Sequence, residues 1–396
     1  MKRILVLGTS YLQTFLIRKA KENGYYVIGV DGNANSVGFS FCDKYFVCST
    51  TDKEGVLSIS EKEKVDGIIT YASDVSAPTV SYVAEKLGLD GDPYSSVLIM
   101  TDKYKTRQFL KKNGFNVPQA FEVSNYNEFL NAISLIGYPL IVKPIDSSGS
   151  KGVCKLESLN KAKNAYDYSM SFSREKKIIV EEFLERKGYQ VDADCFWYKD
   201  RLAYFQPMDQ HRDPLAPFSP VGISGPSLLD GEKADIAFKE VSRFLGLLNM
   251  SFGEYNVEYI FDKNDKLYIL EIGPRAGGNL IPNVIQYGTG IDLPLLTLKA
   301  CVGEPLVDVN NHAFKKNVTS LIIHSQVDGI FSGLAIDERL KNRILIMDLF
   351  VKEGDRVHRF TGASTVIGFA MIEFDDLLFM KQVMDNTKDY FKVLVK

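Results

Sequence analysis

The stretch Phe252-Gly253-Glu254-Tyr255-Asn256-Val257-Glu258-Tyr259-Ile260-Phe261-Asp262-Lys263-Asn264-Asp265-Lys266-Leu267-Tyr268-Ile269-Leu270-Glu271-Ile272-Gly273 decides how this chain is read. Two β-rich runs flank Lys263–Lys266, a hairpin signal. A two-residue turn at Asn264-Asp265 pairs Lys263 with Lys266, Ile260 with Ile269 and Glu258 with Glu271. The two glutamates then face each other on one side of the hairpin, with Cβ atoms about 4.5–5.5 Å apart. Opposed carboxylates repel, so the pair calls for a divalent cation, a shared proton or full exposure to water. Mg²⁺ suits the first case, because it takes one or two protein carboxylates and completes its shell with phosphates and water.

Toward the N-terminus, Tyr138-Pro139-Leu140-Ile141-Val142-Lys143-Pro144 sets a lysine at the end of a buried strand, and Pro144 keeps Lys143 extended. The loop Asp146-Ser147-Ser148-Gly149-Ser150-Lys151-Gly152 follows. Its small residues let backbone N–H groups approach a phosphate, and Lys151 adds charge. The Gly-x-x-x-x-Gly-Lys-[Ser/Thr] spacing of a P-loop is absent, and a flexible surface hairpin is the alternative.

The first residues alternate strand and helix. Strands at 3–7, 25–30, 45–47 and 67–70 alternate with helices at 12–21, 53–62 and 77–87, the βαβ pattern of a parallel sheet. After the first strand the chain reads Gly8-Thr9-Ser10-Tyr11, without the later glycines of a dinucleotide fingerprint. Asp31 is therefore read as a turn or cap residue in a doubly wound sheet that lacks its cofactor. A helix follows at 103–112, then a smaller unit at about 118–185 and a β-rich run at 191–206. Pro207 to Pro226, with five prolines, reads as a long loop that either brings His211 and Arg212 toward a substrate or carries them as a solvated surface pair. A helix at 233–247 precedes the hairpin, and the last ninety residues or so alternate short strands with turns and end on a helix. The fold class is α/β with three domains: 1–98, 99–300 (with a mobile lid at about 118–185) and a small β-rich 301–396.

The whole chain excludes several function classes. Its 396 residues are 45% apolar and carry a net charge of −3, so no basic footprint for nucleic acid exists. No apolar run is long enough to span a bilayer. The five cysteines are scattered without Cys-x-x-Cys spacing, which points to a reducing cytoplasm. Four histidines, none in metal-binding spacing, leave a zinc protease or a histidine-centred triad little to build on.

Taken in order, these pieces resemble the ATP-grasp superfamily, in particular the branch of glycinamide-ribonucleotide synthetase, biotin carboxylase and the amino-acid ligases. The resemblance runs from residue 1 to about 300. It implies a Rossmann-like domain followed by a two-lobed grasp that binds ATP with Mg²⁺, or Mn²⁺ in its place. Lys103 and Lys143 resemble the two nucleotide lysines, and Ser148, Gly149, Ser150, Lys151 and Gly152 the glycine loop that closes over the phosphates. Glu181-Glu182-Phe183-Leu184 resembles the hinge whose backbone reads adenine, with Glu185 offered to the ribose. Glu258 and Glu271 match the two magnesium glutamates, Arg275 the residue that stabilises the reacting acyl group, and Gly277-Gly278 an anion seat. The family usually writes Glu-x-Asn-Pro-Arg, whereas Gly273 stands in the Asn position here, which leaves that metal position to water or substrate.

The implied reaction joins a small carboxylate to an amine through an acyl phosphate, releasing ADP and phosphate. The partners implied are those two small molecules, with neither nucleic acid nor membrane, and a homodimer is the assembly allowed. Three rivals stand beside it: a ligase acting on a purine precursor, a bicarbonate-phosphorylating carboxylase or carbamoyl-phosphate enzyme, and a silent nucleotide-binding protein. No Met-Lys-Met biotin site occurs in the chain.

Overall fold

Short apolar runs separated by amphipathic helices hide both faces of each strand only inside a parallel sheet. In the computed structural model, which describes residues 1–306, 309–310 and 312–396, β1 (Arg3–Leu7), α1 (Gln13–Glu22), β2 (Tyr26–Asp31), β3 (Lys44–Val47), α2 (Lys53–Glu63), β4 (Gly67–Thr70) and α3 (Ala77–Leu87) build that sheet. Its strand order is β3-β2-β1-β4, all parallel. Ile4 to Leu7 are fully buried in it. At the C-terminal end of β1 the chain fills its own corner. The Asp31 carboxylate accepts hydrogen bonds from the Thr9 N–H at 2.8 Å, the Asn33 N–H at 2.9 Å and the Ser36 hydroxyl at 3.3 Å. Gly38 donates to the Thr9 carbonyl at 2.8 Å, and a Cβ there would lie 2.4 Å from that oxygen.

Helices α4 (Tyr94–Met100) and α5 (Lys103–Lys112) lead into a small antiparallel sheet. It contains β5 (Ala120–Val123), α6 (Tyr126–Ile136), β6 (Leu140–Pro144), β7 (Cys154–Leu156), α7 (Ala162–Ser171) and β8 (Ile178–Glu182), with strand order β5-β8-β6-β7. Leu140 and Val142 pack with residues of α6 and α7, so period-two alternation turns Ile141 and Lys143 to the opposite face.

The remaining elements are β9 (Gln190–Tyr198), β10 (Arg201–Arg212), β11 (Pro220–Gly225), α8 (Gly231–Leu247), β12 (Gly253–Phe261), β13 (Leu267–Gly273), α9 (Ile281–Thr289), α10 (Leu293–Cys301) and β14 (Asn317–His324). They continue with β15 (Gly329–Ile336), α11 (Glu338–Lys341), β16 (Ile344–Leu349), β17 (Arg356–Val357), β18 (Val366–Phe374), α12 (Leu377–Asp385), α13 (Thr387–Tyr390) and β19 (Phe391–Val395). One eight-stranded sheet, ordered β13-β12-β9-β10-β11-β14-β18-β16, takes strands from both sides of residue 301.

Three expectations need correction. The proline-rich loop is largely sheet: β10 runs to Arg212 and β11 begins at Pro220, leaving 213–219 as the connection. Pro207 is tolerated because β11 pairs β10 only from Asp209 onward, so one side of the strand at Pro207 has no sheet neighbour. The chain ends on strand β19 rather than on a helix, because Phe391–Ile336 pairing draws it into a sheet with β15. The hairpin register also differs. Its loop is closed by the Asp262 N–H on the Lys266 carbonyl at 2.9 Å, with Asp265 left-handed at φ 57°. Ile260 therefore pairs with Tyr268 rather than Ile269, and an irregularity after Glu258 restores Glu258 to Glu271.

Candidate functional site

A cleft of about 750 Å³ opens between the small sheet and the large one. Lys103, Lys143, Glu258, Glu271 and Arg275 all line it, as do the loop residues Ser148 to Lys151. Lys103 arrives as the first residue of α5, whose cap Asp102 accepts from the Tyr104 and Lys105 N–H groups at 2.9 and 3.0 Å. Its ammonium donates to the Ser147 carbonyl at 2.6 Å and stands 3.5 Å from Glu271. Lys143 pairs with Glu181 at 2.6 Å, and Arg107 meets the other Glu181 oxygen at 2.7 Å. Burial works against the Glu181 carboxylate, but the charges of Arg107 and Lys143 prevail and hold its pKa down to about 2.

Across the cleft, Glu258 faces Glu271 on one side and Asp192 on the other, three acids abreast on β13, β12 and β9. Burial, then the charge of Glu271, raises the Glu258 carboxyl; burial, then Glu258, raises Asp192 far more. The three carboxyl groups thus crowd one another in a buried place. Among the described residues no group of three or more acidic, His or Cys side chains is arranged to hold a metal. A cation held by Glu258 and Glu271 would therefore complete its shell from phosphates and water, which is how Mg²⁺ is usually bound, so the residues fit that ion. Arg107 donates to the Ile269 and Leu270 carbonyls at 3.3 and 2.8 Å, beside the register shift that sets the two glutamates opposite each other.

Arg275 is held by Asp74, which comes from the loop between β4 and α3: Nε and Nη2 each donate to one carboxylate oxygen at 2.7 Å. Gly273 makes room for this pair. A Cβ at 273 would lie 2.5 Å from Asp74 Oδ1 and 2.9 Å from Arg275 Cζ. Gly278 lines the cleft, whereas the Gly277 N–H is already used by Asp194 at 2.9 Å, so it offers no anion seat. Gly152 lies behind the loop, outside the lining, against Pro144.

In the hinge, Glu182, Phe183 and Leu184 line the cleft, and the first two donate their N–H groups to the Gln119 and Pro139 carbonyls at 2.9 and 3.3 Å. Glu185 stands outside the lining and pairs with Lys263 at 3.3 Å; Arg186 takes the position facing the cleft. His211 is the clearest departure. It lies buried in β10, with Nδ1 2.8 Å from Asp385 and Nε2 2.8 Å from the Ser224 hydroxyl. That Ser–His–Asp order suggests a nucleophile, but Ser224 is fully buried and Lys381 donates to its oxygen at 2.7 Å. Burial, outweighing the Asp385 hydrogen bond, lowers the His211 pKa, so a neutral ring fastens β10 to α12.

Arg212, by contrast, does line the cleft. Sequence reasoning passed over Asp74, Arg107, Arg186 and Asp192. Only Asp192 left a local signal, the period-two acids Asp192-x-Asp194 inside an apolar run; Asp74 lies 201 residues from its partner. Among the described residues no helix is long and apolar enough to cross a membrane.

Residues 100–279 match the ATP-grasp domain family. The formate-dependent phosphoribosylglycinamide formyltransferase of Bacteroides thetaiotaomicron is 26% identical over 385 residues, 95% of each chain. The L-amino acid ligase of Bacillus licheniformis superposes with a TM-score of 0.83 at 19% identity, covering 100% of this chain and 99% of that one. The phosphoribosylglycinamide synthetase of Anaerococcus prevotii gives 0.75 at 23% identity, with both chains covered completely.

Proposed function

We propose that this chain is an ATP-grasp carboxylate–amine ligase that activates a small carboxylate as an acyl phosphate. The observation that carries the reading is the Glu258–Glu271 pair facing Lys103 and Lys143 across one cleft. Lys103 and Lys143 would bind nucleotide phosphates, each ammonium already oriented by a carboxylate. Glu258 and Glu271 would hold Mg²⁺, which would supply charge neutralisation to the nucleotide phosphates. The loop 148–151 excludes water from the reacting groups, with the Ser150 hydroxyl fastened to the Phe218 carbonyl at 2.7 Å.

A carboxylate oxygen attacks the γ-phosphorus and the bond to the β–γ bridging oxygen breaks, releasing ADP. The amine then attacks the acyl carbon, the carbon–oxygen bond to phosphate breaks, and the nitrogen loses a proton. Arg275, fixed by Asp74, is oriented to stabilise the tetrahedral oxyanion. No protein nucleophile is required. A second reading, with formate as the carboxylate and phosphoribosylglycinamide as the amine, is favoured by the name of the relative that aligns over 95% of the chain.

The test is product analysis with pairs of amino acids, formate plus phosphoribosylglycinamide, and bicarbonate. ADP and phosphate are expected with one pair; AMP and pyrophosphate would place the protein among adenylating enzymes.

A further inference from the structure

The cations of the cleft are not held alike. Lys103, Lys143 and Arg275 each stand against a carboxylate. Among the described residues Arg212 is held by neutral oxygens alone: Gln190 Oε1 at 2.6 Å, Gln210 Oε1 at 2.7 and 3.1 Å, and the Pro217 carbonyl at 2.9 Å. Both glutamines are aimed from behind, because Gln190 donates to Glu258 at 2.6 Å and Gln210 to Asp192 at 3.4 Å. Their carbonyls therefore face the guanidinium. A clamp of neutral acceptors fixes the position of Arg212 without pairing its charge, which stays available to the cleft. Burial, and then the repulsion of Arg186, draws the Arg212 pKa down to about 10 although Glu258 lies near. Arg186 itself stands more exposed at the cleft margin, with no carboxylate in ion-pair contact among the described residues.

We propose that Arg212, assisted by Arg186, is a second anion seat of the cleft, built for a phosphate or carboxylate group of a ligand. The seat takes an oxyanion because no carboxylate among the described residues pairs the guanidinium charge and the clamp leaves one Nη1 N–H unused. The inference rests on the ligase reading, which leaves two sources for the group: a phosphate of the nucleotide, or an acidic group on the second substrate.

The experiment titrates inorganic phosphate into the full chain by calorimetry at fixed ionic strength, with and without saturating magnesium and a non-hydrolysable ATP analogue. Wild type is compared with Arg212→Gln, Arg212→Lys and Arg186→Gln. Phosphate affinity should fall about tenfold or more in Arg212→Gln, less in Arg212→Lys, and about threefold in Arg186→Gln. Competition between phosphate and the analogue assigns the seat to the nucleotide, and simultaneous binding assigns it to the second substrate. Unchanged phosphate affinity in a folded Arg212→Gln protein overturns the proposal. Should that variant fail to fold, unchanged affinity in both Arg212→Lys and Arg186→Gln overturns it instead. Arg212-dependent phosphate binding in a protein that makes no ADP with any substrate pair would leave the seat standing and sink the ligase reading.

Discussion

Two regions of this chain invite the same guess, and their partners separate them. At the end of β1, Gly8, Thr9 and Asp31 lie where a doubly wound sheet could take a nucleotide, yet Asp31 is engaged by Thr9, Asn33 and Ser36. In the grasp cleft, Glu258, Glu271 and Asp192 crowd together, and among the described residues Arg212 has only neutral acceptors. At the first corner the polar groups satisfy one another, whereas in the cleft the acids repel and are left to a cation. Residue type alone does not distinguish the two.

The sharpest way to break this comparison is Glu271→Gln. Turnover should fall by about a thousandfold or more, since the cation loses one of two carboxylates. The magnesium-free protein should melt no lower than wild type, because a repulsion is relieved. Full magnesium-dependent activity in that variant would remove the metal role. Arg275→Lys comes next, with kcat expected to fall about a hundredfold while ATP affinity changes little. Lysine cannot make both bonds to Asp74, so Asp74→Asn and Gly273→Ala should lower kcat in the same direction. A purely structural pair would instead lower the melting temperature and spare kcat.

Glu181 sharpens the contrast from inside the cleft, as a charge whose partners are complete. Its folded pKa of about 2 lies below the ordinary 4.5, so its contribution is fully present above about pH 4.5 and is lost as pH falls toward 2. The contribution is on the order of 3 kcal/mol. Denaturant unfolding at pH 6 and pH 3 should show the stability gap between wild type and Glu181→Gln narrowing in acid; a constant gap would contradict it. The smallest effect belongs to the satisfied corner. Asp31→Ala should cost about 2 kcal/mol of stability for its lost hydrogen bonds while leaving kcat unchanged. A loss of nucleotide affinity there would undo the distinction between the two regions.

The sequence by itself determined the alternation of β1 to β4 with helices, the place of Lys143 at a strand end and the facing of Glu258 with Glu271, since each follows from local periodicity or turn chemistry. The last rested on two departures that cancel. The loop holds three residues, 263–265, rather than two, and the irregularity after Glu258 shifts the register back by one. Only the tertiary structure decided that irregularity, because the carbonyls beside it are held by Arg107 from a helix 162 and 163 residues away. The same holds for His211, which looked free in a proline-rich segment until α12 brought Asp385 against it across 174 residues. Asp74 likewise reaches Arg275 from the first sheet, through the space that Gly273 leaves open. Periodicity records which face a side chain takes, but its partner is set by which distant element packs there, and short-range pattern carries no trace of that choice.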